Sequence, residues 1–376
     1  MPTSLRSPVS TGGIRLRIPP QPPLLGEANP LELYLESLGL EDCVVDQGGV
    51  LRLSAAWQQR WLPGDDTLGL HQRLVADVAF DGQTLRRQIL VAMLGGPVVF
   101  DFPSVDELLA AIRIRENIVN AARKTALAFK TSSAERPDDY WTYQPDTGFT
   151  VRPGQSLIAA LIKATQPEVS GKLYDFSCYR ATEYVILLAV AQELVYSNPD
   201  LSSQLQRQWE HKAIMSGLFH DVFLREYGSQ EAPLPPRYYV PGDRLWFRNP
   251  DEASADATGY EGSWVFYLGN GLFSDFWRAG RTYTLESKCL EIYHWRHGLY
   301  HDTSGEAQIA ETRVEAHIAQ TLADPAEYDR IEALMQRYRE PRGQYTDAGG
   351  CIDTTREYPR WVCSGTADLV LPGAAG

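Results

Sequence analysis

Tyr174-Asp-Phe-Ser-Cys178-Tyr-Arg-Ala-Thr182 is the stretch on which the reading of this 376-residue chain turns. A short polar segment runs into the apolar series Val185-Ile-Leu-Leu-Ala-Val-Ala191. That series is far shorter than the ~18 residues needed to span a bilayer and suits the middle of a buried helix. The helix is expected from Cys178 to Tyr196, ended by Asn198-Pro199. Ser177 then falls at the N-cap, a position its hydroxyl favours. Cys178 falls in the first turn, where unpaired amides and the helix dipole favour an anion and lower a thiol pKa. Arg180 adds a positive charge nearby. The same amides are candidate oxyanion-hole donors. The alternative is a structural cysteine at the start of a core helix, and position alone does not separate the two.

Towards the N-terminus, Pro103-Ser104-Val-Asp-Glu107 reads as a capping box opening an amphipathic helix that ends before Lys130. Asp139–Tyr143 and Phe149–Val151 form a hairpin around Pro145-Asp146-Thr147-Gly148, followed by a short helix over 155–165. Residues 1–30 read as a Pro-rich extended arm. Next come a short helix from Pro30 to Leu40, an alternating stretch Arg73–Phe80, and a strand at Gln88–Met93. Towards the C-terminus an amphipathic helix is expected from Asp200 to Tyr227, and a strand at Arg244–Arg248. Ser263–Leu268 and Leu272–Trp277 pair across an Asn270-Gly271 turn. Helices resume at about 284, with further starts at Thr303-x-x-Glu306 and Asp324-Pro325-x-Glu327. Residues 340–376, rich in Gly and Pro, read as irregular.

The chain carries 35 basic against 48 acidic residues, a formal charge of −13. That balance argues against nucleic-acid and anionic-membrane partners. Five Cys without a CxxC pair suggest neither a disulfide scaffold nor a zinc ribbon, although Cys351 and Cys363 could close a short loop. No signal-like apolar segment is visible, so a cytoplasmic, reduced, α+β protein is expected.

Residues from about 100 to 280 resemble the Bacillus-type protein-glutamine gamma-glutamyltransferases (transglutaminases). The matching features are Phe102 ahead of the Ser-x-x-Glu-Leu helix, Arg115-Glu-Asn-Ile-Val-Asn-Ala-Ala122, Tyr140-Trp141 and Phe176-x-Cys178. Gly242-Asp-Arg-Leu-Trp-Phe-Arg-Asn-Pro250, Gly262 and Leu268-Gly269 follow in the family's order. The resemblance implies a papain-like (NlpC/P60-like) core at 98–283 with antiparallel strands packed on helices. An N-terminal extension would occupy 1–97, C-terminal helices 284–340 and a tail 341–376. It also implies a Cys178 thioester formed from a glutamine carboxamide and transferred to a lysine or other amine, without metal or organic cofactor.

The family's carboxylate before the nucleophile is Ser177 here, and its second catalytic carboxylate is Ser263. Its strand histidine corresponds to Asp275 if one hairpin residue is dropped. Strand alternation would put Glu261 on the face of Ser263, about 7 Å away, where it could serve as base. Its other reading is a solvated residue in a Gly-flanked loop. Asp275 is the second candidate, with a structural role the simpler reading. Trp264, Trp277, Tyr140 and Trp141 are candidates for a dry wall around a thioester, though most such strand aromatics belong to a core. Arg180 is a further substrate contact. His294, His297 and His301 share helical spacing, but no ligand from elsewhere in the sequence completes a metal set. The acidic loop Asp251–Asp256 would attract a lysine-bearing acceptor or is a solvated turn. A glutamine deamidase or amidase using Cys178, and an inactive binding relative, are the remaining alternatives.

Overall fold

The computed structural model describes residues 12–18, 29–77, 82–129 and 134–372. Most of the expected N-terminal arm lies outside them. The centre is a six-stranded sheet made of β1 (Leu224–Tyr227), β2 (Arg244–Arg248), β3 (Gly262–Gly269), β4 (Leu272–Ser274), β5 (Thr282–Tyr283) and β6 (Arg356–Pro359). Its order is β5-β4-β3-β2-β6-β1, antiparallel throughout. The β3–β4 turn is the expected Asn270-Gly271, both with positive φ (55° and 70°), as a two-residue primed turn requires.

Alternation along β3 gives the sheet two apolar faces. Phe266 and Leu268 pack on α1 (Val105–Lys124), α2 (Leu157–Thr165) and α3 (Cys178–Ser197). Val265 and Tyr267 pack on α4 (Leu285–Gly298), α5 (Glu311–Leu322) and α6 (Pro325–Met335). Because α3 is enclosed by α1, α2 and β3, it is apolar on nearly every side and buried from Ala181 to Ala191. Each fully buried Leu, Ile or Val there contributes about 1.5–3 kcal/mol, so a charge at Leu187 would break the packing. A second sheet, ordered Val44–Asp46, Val50–Leu53, Gly13–Leu16, Val99–Phe102, holds a separate core with helix Thr84–Leu94.

One buried ion pair ties the layers together. Arg115 of α1 donates to Asp243 Oδ1 (2.7 Å), and Asp243 also accepts from the Val240 amide (2.7 Å) and the Tyr227 hydroxyl. Gly242, at φ 89°, leaves room for this approach, since a Cβ there would stand 2.8 Å from the Arg115 Cβ.

Several expectations are corrected. Gln88–Met93 lies inside a helix, because an apolar run buried on all sides has the same composition in either element. Arg73 also lies in a helix, Leu70–Val75, and residues 78–80 of that stretch lie outside the described residues. The span 200–227 divides into helices Pro199–His211 and Ser216–Phe223 before becoming β1. Thr303 starts no helix; it sits between the paired strands Leu299–His301 and Ala307–Ile309. Asp324 caps α6 as expected. Ser104 caps α1, but the Glu107 carboxylate does not return to it. Glu107 accepts instead from the amides of Val362 (2.6 Å) and Cys363 (3.0 Å) and from the Thr366 hydroxyl. The segment read as irregular is thereby anchored to α1, and it supplies β6, the strand that joins the edge strand β1 to β2. Cys351 faces Cys289 across 3.5 Å and not Cys363, which lies beside Glu107; all the cysteines are unpaired. Among the described residues no helix is long and apolar enough to cross a membrane.

Candidate active site

Asp175–Phe176 pairs in parallel with Ala128–Phe129 and delivers the chain to the start of α3. Ser177 is the N-cap, its Oγ accepting from the Arg180 amide. Cys178 follows, partly accessible as a residue. Burial is the largest influence on its thiol and raises its pKa above the ordinary value. The Trp264 amide, the Lys288 ammonium and the Tyr179 amide pull the other way, while the Glu261 carboxylate pushes up. The thiolate expected from the helix start is thus overruled in the resting state: two amides and an ammonium do not recover what desolvation costs.

Arg180 does not serve the thiol. It ion-pairs with Glu183 and donates to Ser216 Oγ at 3.1 Å, lining a neighbouring hollow instead. Glu183 is itself raised to about 7, by burial foremost, against the lowering charge of Arg180.

Cys178 lies where two cavities meet. The first, about 430 Å³, is walled by Phe129, Tyr260 and Trp277, by Ser263, and by Lys288 and Glu291 of α4. The second, about 550 Å³, is walled by Trp246 and Trp264, by Glu261, and by Arg244 and Glu357. Phe129, Gly259 and Gly262 border both. Gly259 has φ 87°, and a Cβ there would lie 2.2 Å from the Phe129 ring, so the ridge between the cavities needs glycine.

Glu261 and Ser263 do not share a cavity. The strand begins at Gly262, so the alternation that would align them does not reach Glu261, which is exposed. Its charge is nevertheless close enough to raise the Cys178 thiol. Asp275 is buried behind the first cavity, its Oδ1 accepting from the Trp277 amide (2.9 Å), and its carboxyl is raised by burial. Lys288, also buried, donates to Glu291 Oε2 (2.7 Å); Glu291 Oε1 accepts from the Tyr283 hydroxyl (2.8 Å).

The aromatic candidates divide. Trp277 packs edge-on against Phe129 with centroids 4.9 Å apart. Trp264 stacks near Trp246 (6.2 Å), with the Arg244 guanidinium 4.1 Å from its ring centroid. Trp141 is core, its Nε1 donating to the Ala160 carbonyl, and Tyr140 packs at the edge of that core; neither lines the two cavities. Asp251 spends its carboxylate as an N-cap, accepting from the Ser254 amide and hydroxyl. The helix that carries His294 and His297 is α4, and it brings Lys288 to the first cavity. Nothing local in the sequence points to Lys288 or Glu357.

A cysteine opening a buried helix against an antiparallel sheet is consistent with the papain-like α+β class. The sequence model of the protein-glutamine gamma-glutamyltransferase family matches residues 71–342, and the chain belongs to that family. The protein-glutamine gamma-glutamyltransferase of Halalkalibacterium halodurans is 26% identical over 199 residues, which are 50% of this chain and 62% of the relative. That of Bacillus mycoides is 28% identical over 196 residues, 50% of this chain and 64% of the relative. The chain thus spans less than two thirds of the length of these relatives. A solved transglutaminase from Geobacillus stearothermophilus, without its C-terminal extension, is 22% identical and superposes with a TM-score of 0.39 over 58% of this chain and 98% of that one.

Proposed function

We propose that this protein transfers the acyl group of a glutamine side chain to an amine through a thioester on Cys178. The observation that carries the reading is the place of Cys178 between two differently walled cavities, so that a carboxamide and an amine can reach one sulfur from separate sides. Glu261 accepts the thiol proton and the sulfur attacks the carboxamide carbon. The Tyr179 and Trp264 amides point at the sulfur and stabilise its thiolate form. Collapse of the tetrahedral adduct expels the nitrogen, which leaves as ammonia with the proton held by Glu261. The amine then attacks the thioester carbon, gives a proton back to Glu261, and the thiolate departs and is reprotonated. Lys288 stabilises each thiolate state, and Ser263 lines the first cavity together with Cys178. Phe129 and Trp277 make that side dry, favouring amine over water. The partners are a glutamine-bearing protein or peptide and a lysine or small amine.

The test measures uptake of a labelled amine by a glutamine-bearing protein, with ammonia release read in parallel. Wild type should couple the two, Cys178→Ala should fall to background, and Glu261→Gln should lose roughly 10²-fold or more in kcat. Uptake retained by Cys178→Ala would overturn the assignment. Ammonia released without amine uptake would make the protein a hydrolase on the same thiol.

A further inference from the structure

His294 and His297 stand one turn apart on α4, and α5 brings His317 across to them. One ligand nitrogen from each lies within 4.8 Å of the others. The His297 and His317 rings stack at 4.4 Å between centroids, and the His294 ring is 5.1 and 5.9 Å from those two. The fourth imidazole of this region, His301, is on the strand Leu299–His301 and outside the cluster.

We propose that His294, His297 and His317 form a binding site for a divalent transition metal of the zinc type, joining α4 to α5. His294 Nδ1 meets His297 Nδ1 at 2.9 Å. Around a tetrahedral ion with metal–nitrogen distances of about 2.0–2.1 Å, two ligand nitrogens stand roughly 3.3 Å apart. The pair therefore needs to open by only a few tenths of an ångström to admit an ion. The other nitrogen of His294, Nε2, is 2.9 Å from the Thr321 hydroxyl. A hydrogen bond donated from Nε2 to Thr321 fixes the His294 tautomer and aims the Nδ1 lone pair at the cluster, where it accepts from His297 Nδ1 until an ion replaces that proton, the arrangement that orients metal-binding histidines. Three imidazoles without a coordinating carboxylate suit zinc, nickel, cobalt or copper over magnesium or calcium, which take oxygen ligands. His297 is exposed, so the fourth position opens to solvent and the ion has a path in.

The two helices that would be clipped are also a wall of the first cavity. Lys288 and Glu291 come from α4, and Glu311, Glu315 and Ile318 from α5. The three histidines line neither cavity, so a bound ion would hold that wall from outside the site and its role is structural.

The full chain, free of any histidine tag and stripped with EDTA, is titrated with Zn2+ by calorimetry and with Co2+ by absorption. One equivalent of Zn2+ should bind with micromolar or tighter affinity and raise the thermal unfolding midpoint. Mg2+ and Ca2+ should do neither. His297→Ala and His317→Ala should each weaken Zn2+ by more than about tenfold, and Thr321→Val by about tenfold. His301→Ala should bind as wild type. The Co2+ form should show visible ligand-field bands and no thiolate charge-transfer band. Absence of Zn2+ binding, affinity unchanged in His297→Ala, or a thiolate band would each overturn the site. Circular dichroism of the variants separates lost ligands from lost fold, and His297, being exposed, can be replaced without opening the core.

Discussion

At Cys178, burial and charge act in opposite senses, and their balance fixes the pH behaviour. The thiol is raised above its ordinary value, so below that pKa the thiolate is a minor species and falls about tenfold per pH unit. Lys288 lowers the thiol, so Lys288→Met should move the rate profile of Cys178 alkylation to higher pH and slow the reaction several-fold at any fixed neutral pH. A profile that stays in place would show that the ammonium does not reach the sulfur. Cys178 and its Ser177 cap were legible in the sequence because both depend on consecutive residues. Lys288 was not, because its relevance arises only when a distant helix packs beside β3. Trp141 shows the opposite limit: an aromatic inside a family-like motif reads as a binding residue until its indole N–H is seen to end on the Ala160 carbonyl.

Among the elements, the sheet was half legible. β2, β3, β4 and the Asn-Gly turn carry local alternation and turn chemistry. β1 lies at the end of a span that reads as one amphipathic helix, and β6 follows a Gly-rich stretch that hides it. The motif residues Arg115 and Asp243 were visible separately, but their contact belongs to the packing of α1 over the turn before β2. Asp243→Asn leaves the buried Arg115 guanidinium without its counter-charge. That change should cost about 3–5 kcal/mol in urea unfolding. A loss under about 1 kcal/mol would mean that water or another acceptor replaces the carboxylate.

On the scale of the whole molecule, the unequal division into core and flanks gives way to mutual dependence. Residues beyond 284 supply one wall of the first cavity, and Glu357 of β6 supplies part of the second, where it pairs with Arg244 at 2.9 Å. A chain ending at Gly350 lacks the strand between β2 and β1 as well as the amides held by Glu107. It should give no cooperative thermal transition and leave Cys178 open to alkylation in the manner of an unfolded thiol. A cooperative transition close to that of the full chain would show that the sheet closes without β6.

The placement of β6 also sets a clock. β1 and β2 meet only across a strand that is translated some 130 residues after β1. At about 5–20 residues per second, the ribosome takes on the order of 10 s to provide it. Throughout that interval the sheet lacks the strand that joins β2 to β1, and the second cavity lacks the wall that Glu357 gives it, until synthesis has passed residue 359.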